Sequence, residues 1–215
     1  RDDMAEAIGI PVEDLRVIEN PTGGSFGWAM NAASYALVGA ATKVTGMPVA
    51  LSMTYAEFMA FSGKRSPAFF NGRLACDKDG KIIAGEFDSG AYPEMGDDKL
   101  TKILRFMFFP YYVPNVVGLA RSAVTNHNFG VPYRGYGAPQ AYTCGEALID
   151  MMAEKIGMDP FEFRYKNIAR PGDTNLNQRQ FLQYPMEEMM DTLKPLYEEA
   201  VKRAKAEDTP EVRKG

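Results

Sequence analysis

The chain has 215 residues, 46% of them hydrophobic and 24% charged, with 20 Gly and 14 Pro: enough apolar matter for a packed core without disulfide staples, and too much for a disordered tail. Its 24 basic and 28 acidic residues leave a net charge of −4 and no basic stripe, which argues against nucleic acid as a partner. The longest apolar stretches, around residues 32–41 and 106–113, fall far short of the ~20 residues that a membrane-spanning helix needs, so no membrane partner is expected. In chain order, residues 1–16 predict a short helix ending near Gly9, followed by an extended run over 10–18. A turn-rich loop, Glu19-Asn20-Pro21-Thr22-Gly23-Gly24-Ser25-Phe26-Gly27, leads into an Ala-rich helix over 31–45 closed by Gly46. Residues 48–54 alternate as a strand, with Val49, Leu51 and Met53 on one face. Residues 69–77 and 81–89 predict a hairpin, and Gly80 in Asp77-Lys78-Asp79-Gly80 supplies positive φ at its turn. Residues 100–109 read as a helix, Pro110 and Pro114 force an extended passage, and 116–126 reads as a strand.

The second half is more helical. Residues 140–156 place Leu148, Met151 and Met152 on one helical face, and Gly157 suits the position after a helix end. Asp159-Pro160-Phe161-Glu162 is a helix start, with Asp as cap, Pro at the first turn and Glu at its third position. Pro171-Gly172-Asp173 is a turn. Apolar residues recur at helical spacing over 186–204, with Pro195 predicting a kink or a break, and 202–215 is charge-dense and expected to fray. Hairpins and helices without a regular βαβ beat predict an α+β fold.

Cys76 and Cys144 are the two cysteines, and no C-x-x-C occurs, so zinc ribbons and iron–sulfur frameworks are absent from this stretch of sequence. Two sparse thiols fit a reducing, cytoplasmic setting. His127 is the sole histidine, which removes multi-histidine metal sites. The chain opens on Arg1-Asp2-Asp3, with no Met and no signal-peptide pattern, as a piece of a longer polypeptide would.

Two loops can carry chemistry. Gly23-Gly24-Ser25-Phe26-Gly27 stands before a helix, where glycines let backbone N–H groups approach an oxo group, a phosphate or another anion. It lacks the spacing of a P-loop and of a dinucleotide fold, and from spacing alone it reads more readily as a plain turn with Phe26 plugging the core. The second loop is Val131-Pro132-Tyr133-Arg134-Gly135-Tyr136-Gly137-Ala138-Pro139-Gln140. Arg134 can clamp a phosphate or pterin oxygen in a forked manner, and Tyr136 offers an aromatic wall with a hydroxyl tip. A rigid turn with a surface Arg stacked on tyrosine is the plainer alternative. The remaining features read as bland: the 13 Met as core filler, Lys64-Arg65 as a solvated corner, and Glu94, Asp97 and Asp98 as a solvated acidic loop.

Taken together and in order, Gly-Gly-x-Phe-Gly, then Gly63-Lys64-Arg65-Ser66-Pro67, then Arg-Gly-Tyr-Gly-Ala-Pro-Gln resemble the molybdenum hydroxylases, the xanthine dehydrogenase and aldehyde oxidoreductase family. The run over 150–167 with Arg170-Pro171-Gly172-Asp173 resembles the family's helical passage after that loop, and the likeness, which includes Thr125-Asn126-His127, is greatest to aldehyde oxidoreductases of anaerobic bacteria. The resemblance implies that Phe26 and Gly27 present backbone groups to an oxygen ligand of molybdenum, with Gly24 giving access. It implies that Arg134 lies against the molybdenum–molybdopterin cofactor, with Gly135 and Gly137 keeping the chain close to it, and that Tyr136 borders the substrate. It adds Met30, Met95, Asp98 and Lys102 as substrate-lining positions, and no side-chain ligand to the metal.

Purine-oxidising members carry a Glu three residues after the Phe-Gly, where this chain has Met30, and an Arg at the position aligned with Lys102. A site without that polar partner favours a simple carbonyl substrate. The resemblance therefore implies hydroxylation of a small aldehyde to its acid with water as oxygen source, with a purine or other N-heterocycle as alternative, or anion binding without turnover in the isolated chain. Asp98 sits where an apolar funnel residue is expected in the aldehyde enzymes. The family's catalytic Glu stands in a Gly-x-Gly-Glu loop that this sequence lacks, so no catalytic residue is assigned and the isolated chain is expected to be inactive. Residues 1–180 would belong to the first molybdopterin-binding domain and 181–215 to a helical connector towards a second. The partners implied are the rest of the catalytic subunit, including domains with [2Fe-2S] clusters, in a homodimer or multi-subunit parent.

Overall fold

The structure is a computed structural model that describes residues 1–21, 23–28, 33–91, 105–123, 126 and 130–212. The chain forms two compact units, one of Arg1–Phe69, Ser89–Ile103 and Ala120–Pro139, the other of Phe70–Asp88, Leu104–Leu119 and Gln140–Gly215. Helices and a three-stranded sheet of order β1-β2-β3 give the α+β class expected, with β1 over Ala68–Cys76, β2 over Ile82–Ala91 and β3 over Val116–Ser122. Among the described residues no helix is long and apolar enough to cross a membrane.

In the first unit, α1 (Asp2–Ile8) stops at Gly9, whose φ of 73° only glycine adopts without strain. The segment expected to be extended over 10–18 is interrupted by a 3₁₀ turn at Val12–Asp14, entered from Pro11 and carrying Glu13 and Asp14 where helix N-terminal amides favour negative charge. The next helix, α2, covers Ala33–Thr45, and the Gly46 N–H closes it on Thr42 O at 2.9 Å. Lys43 Nζ reaches from α2 to the carbonyls of Ile8 and Gly9, at 3.1 and 2.6 Å, and so satisfies the open end of α1. A Cβ on Gly39 would stand 2.5 Å from Ile8 Cδ1, which explains a glycine inside α2.

The strand expected over 48–54 does not form. That stretch has no strand partner among the described residues and leads into a helix that the apolar alternation did not announce, α3 (Tyr55–Phe61). Its signal is Thr54-x-x-Glu57: Thr54 Oγ1 accepts from Glu57 N at 3.3 Å and Glu57 Oε2 accepts from Thr54 N at 2.8 Å.

The second unit holds the larger core, where Ile82, Phe87, Met107, Phe108, Ile149 and Phe163 are buried together. The hairpin of β1 and β2 forms as expected. Asp77 Oδ1 accepts from the amides of Asp79 and Lys81, and Gly80 turns the chain at φ 79°. Strand β3 ends at Ser122, four residues earlier than expected. Of the helix expected over 100–109, residues 100–104 lie outside the described residues; Arg105 and Phe106 are helical, and the chain then tightens into a turn in which Phe109 N donates to Phe106 O at 3.1 Å. Phe108, at φ 56°, sits edge-on to Phe87 with ring centroids 6.3 Å apart.

Helix α4 (Ala138–Ile156) buries Ala141, Gly145, Ile149 and Ala153, a four-residue stripe of mostly small side chains. Leu148 and Met152 only flank the core and Met151 is exposed, contrary to the face expected, because small residues let the helix approach closely along a neighbouring line. Gly157 ends α4 at φ 67° and Asp159 caps α5 (Pro160–Asn167), accepting from Phe161 N at 2.8 Å and Glu162 N at 3.1 Å. Glu162 ion-pairs with Lys194 at 2.5 Å. The turn at Pro171–Asp173 forms, with Asp173 N on Arg170 O at 3.0 Å. Helix α6 (Met186–Glu207) runs through Pro195 without a break and past the point where fraying was expected. It buries only Met190 and leaves Met189, Leu193 and Leu196 exposed.

Candidate functional site

Both candidate loops, the second as far as Pro139, belong to the first unit. They meet: Arg134 N donates to Phe26 O at 2.8 Å. Gly27 lies against Pro132, where a Cβ would stand 2.7 Å from the carbonyl carbon and 3.1 Å from Tyr133 N. Glycine at 27, at φ 108°, is therefore what lets the loops pack backbone to backbone.

Phe26 does not plug the core. It is 63% exposed and holds φ 51°, a left-handed conformation that costs a bulky side chain on the order of 1–2 kcal/mol. Its carbonyl is engaged by Arg134 and the Gly27 N–H is turned to Ser25 Oγ at 3.3 Å, whereas the amides of Gly24, Ser25 and Phe26 have no acceptor among the described residues. Among the described residues, a Cβ on Gly23 would meet nothing within 4 Å, and one on Gly24 only the Phe26 ring at 3.7 Å.

On the second loop, Gly135, Tyr136 and Gly137 hold φ of 93°, 43° and 91° in succession. Tyr136 N donates to Tyr133 O at 2.8 Å, and a Cβ on Gly135 would strike the Pro139 ring at 2.7 Å. Such a run, with a tyrosine in the left-handed region, persists only where surrounding contacts impose it, and non-glycine residues held there cluster at ligand clamps. Arg134 is exposed, and its guanidinium has no partner among the described residues.

The structure joins Phe26 and Gly27 of the first loop to Pro132–Arg134 of the second; Gly24 lies on the first loop, and Gly135, Tyr136 and Gly137 follow Arg134 on the second. Met30, Met95, Asp98 and Lys102, together with His127, lie outside the described residues. One residue was missed. Arg65, read as part of a solvated corner, lays its guanidinium 4.7 Å above the Tyr133 ring and donates through Nη2 to the carbonyl of Arg134. The cation stacked on tyrosine is thus Arg65, not Arg134. Lys64 pairs with Gly130 in a parallel bridge, with Val131 N on Lys64 O at 3.2 Å. The signal for this was the place of Gly63-Lys64-Arg65-Ser66-Pro67 as the second of three ordered motifs.

The donor set suits an oxygen-rich anionic group. Open amides and an exposed guanidinium stand on hydrogen-bonded loops, and neither 20–28 nor 130–140 contains a carboxylate. The residues present therefore fit a phosphate-bearing cofactor such as molybdopterin.

Comparison with known proteins bears on the same point. Residues 1–168 match the molybdopterin cofactor-binding domain. The chain is 41% identical over 216 residues to the aldehyde oxidoreductase of Megalodesulfovibrio gigas, covering 99% of this chain and 24% of that protein. It is 31% identical over 176 residues to the nicotinate dehydrogenase large molybdopterin subunit of Eubacterium barkeri, covering 80% of this chain and 41% of the relative. The solved aldehyde oxidoreductase from Desulfovibrio gigas superposes with a TM-score of 0.91 at 40% identity, over 96% of this chain and 23% of that one. The chain thus spans about a quarter of the length of the aldehyde oxidoreductases it resembles. The ordered motifs, the meeting of their loops and the match over most of the length agree, and the chain belongs to the molybdopterin cofactor-binding domain of the molybdenum hydroxylase family.

Proposed function

We propose that this chain supplies one wall of the cofactor cradle in a molybdenum-dependent oxidoreductase that hydroxylates a small aldehyde to its carboxylic acid, with water as the oxygen source. The observation that carries the proposal is the Phe26–Arg134 backbone hydrogen bond, which joins the two loops whose order the family resemblance singles out. When bound, molybdenum–molybdopterin supplies two-electron oxidation chemistry. Phe26 N–H then donates to an oxygen of the bound group, and Arg134 offsets its negative charge. Both are set in the folded chain and need little reorganisation when the ligand arrives. Gly24 leaves the approach open, Gly135 and Gly137 keep the loop backbone near, and Tyr136 forms a substrate wall.

Aldehyde is preferred to purine because Met30 stands where a purine-hydroxylating enzyme needs a hydrogen-bonding Glu. Met30, Met95, Asp98 and Lys102 are substrate-lining positions only by the family resemblance. Residues 1–180 form part of the first molybdopterin-binding domain. Residues 181–215 are a connector whose exposed Met189, Leu193 and Leu196 await cover from a further domain. The parent carries [2Fe-2S] domains for the electrons, works as a homodimer or multi-subunit assembly, and is cytoplasmic, in keeping with two free cysteines. Purified parent protein, analysed for molybdenum and pterin and assayed with a dye acceptor on aldehydes, hypoxanthine and nicotinate, tests the proposal. Metal-loaded protein that oxidises aldehydes in preference is expected; loaded protein that turns over only the heterocycles overturns the substrate assignment, and protein without pterin overturns the whole.

A further inference from the structure

We propose that Arg65 is the positioning residue of the cradle: it fixes the Arg134 peptide so that the Arg134 guanidinium is preset for the cofactor. The inference rests on the cofactor reading above and goes beyond it by giving a role to a residue outside both loops. The Arg134 residue is pinned at both of its peptide groups. Its N–H is tied to Phe26 O at 2.8 Å, and its carbonyl accepts from Arg65 Nη2. The Arg65 guanidinium also lies over Tyr133 at a centroid distance of 4.7 Å, so one planar cation grips two consecutive residues of the loop.

The segment that carries Arg65 is itself anchored. Lys64 bridges Gly130 in parallel and Val131 N donates to Lys64 O at 3.2 Å, so Arg65 reaches the loop from a strand-like segment stitched to the loop's own start. Immediately after Arg134 come three residues at positive φ, a conformation that relaxes when its restraints are removed. Arg65 is thus the restraint on the entry side of that strained run. A lysine in its place keeps the charge but offers neither a planar fork nor a stacking face.

The test uses the full parent holoenzyme with Arg65→Ala, Arg65→Lys and, as a charge control, Arg73→Ala, whose side chain is 85% exposed beside Glu86. The rate of pterin release from folded protein, the Mo(V) paramagnetic resonance spectrum and the melting temperature are read together. The loss of one charge-assisted hydrogen bond is expected to speed pterin release in Arg65→Ala and Arg65→Lys by about tenfold. An altered Mo(V) spectrum and partial recovery of Arg65→Ala by added methylguanidinium, but not methylammonium, are expected with it; Arg73→Ala stays at the wild-type rate. If Arg65→Ala does not fold, Arg65→Lys with unchanged release and spectrum overturns the proposal. A lowered melting temperature with wild-type pterin release and spectrum means a merely structural arginine and overturns it too. Wild-type parent without pterin rejects the cofactor reading itself; pterin-bearing wild type with unaffected Arg65 variants rejects only the role of Arg65.

Discussion

Gly27 lies against the Pro132 carbonyl with no room for a side chain: a Cβ there would stand 2.7 Å from the carbonyl carbon. The consequence is that Gly27→Ala must either part the two loops or strain the backbone, which already holds φ 108°. A destabilisation of about 1–3 kcal/mol is expected, together with loss of pterin from the parent. Thermal unfolding and pterin analysis of the variant check both, and a variant with wild-type values for each contradicts the loop contact.

Arg134→Ala in the parent removes the exposed cation but leaves the backbone bond to Phe26 in place. Molybdenum occupancy or turnover is expected to fall by about 10- to 100-fold, as for loss of one charged hydrogen bond at an anion. Melting should shift little. Unchanged metal content together with an unchanged rate rejects the role.

Asn167 is fully buried and clamps three places of the second unit. Its Oδ1 accepts from Ile82 N at 2.8 Å, and its Nδ2 donates to Gly80 O at 2.8 Å and Phe163 O at 2.9 Å. Asn167→Leu strands a buried amide and a carbonyl, a cost of about 2–4 kcal/mol by the penalty for unsatisfied groups. Urea unfolding monitored by circular dichroism measures it.

Tyr111 donates its hydroxyl to Glu146, whose Oε2 also accepts from Arg164 Nε at 3.0 Å. Burial first, then the Glu146 carboxylate, push the phenol far above its ordinary value of 10.0. The folded protein therefore keeps a proton that the unfolded chain releases, and this stabilisation is lost as pH rises past the unfolded value. Stability should fall with alkali above about pH 10, and Tyr111→Phe should flatten that slope while costing about 1–2 kcal/mol at neutral pH. Unfolding free energies measured across the alkaline range decide it.

The Glu57 carboxylate is held below its ordinary value of 4.5, chiefly by the Thr54 backbone N–H and next by the Thr54 hydroxyl. Its contribution to α3 is present above that value and is lost as pH falls through the lowered one. Amide exchange in Tyr55–Phe61 should quicken with acid relative to the rest of the unit, and Glu57→Gln should remove the acid dependence. Equal acid dependence in both proteins would count against the capping box.

Local chemistry was legible wherever a few neighbouring residues settle the matter. Gly9, Gly46 and Gly157 mark helix ends, Asp159-Pro160 a helix start and Asp77–Gly80 a hairpin turn, because caps and turns are made from adjacent backbone groups. The three motifs were legible as well, but as separate loops that each allowed a plain reading. The 48–54 strand failed for a different reason: alternation describes a face, and a strand exists only where another strand accepts its hydrogen bonds. Met151 was likewise assigned to the core from its period, whereas the buried stripe follows Ala141, Gly145, Ile149 and Ala153, the line along which α4 comes closest to its neighbours.

Residue types and their order were enough to identify the family and the α+β class, and to single out the two loops proposed here to hold the cofactor. That Phe26 is exposed, that Arg134 is tied to it by its backbone and that Arg65 rather than Arg134 stacks on Tyr133 depended on the folded chain. These bonds join residues 26, 65 and 134, and nothing in the spacing of such distant positions states which donor meets which acceptor. Only the packing of the first unit, with Gly27 admitting the Pro132 backbone, makes that choice.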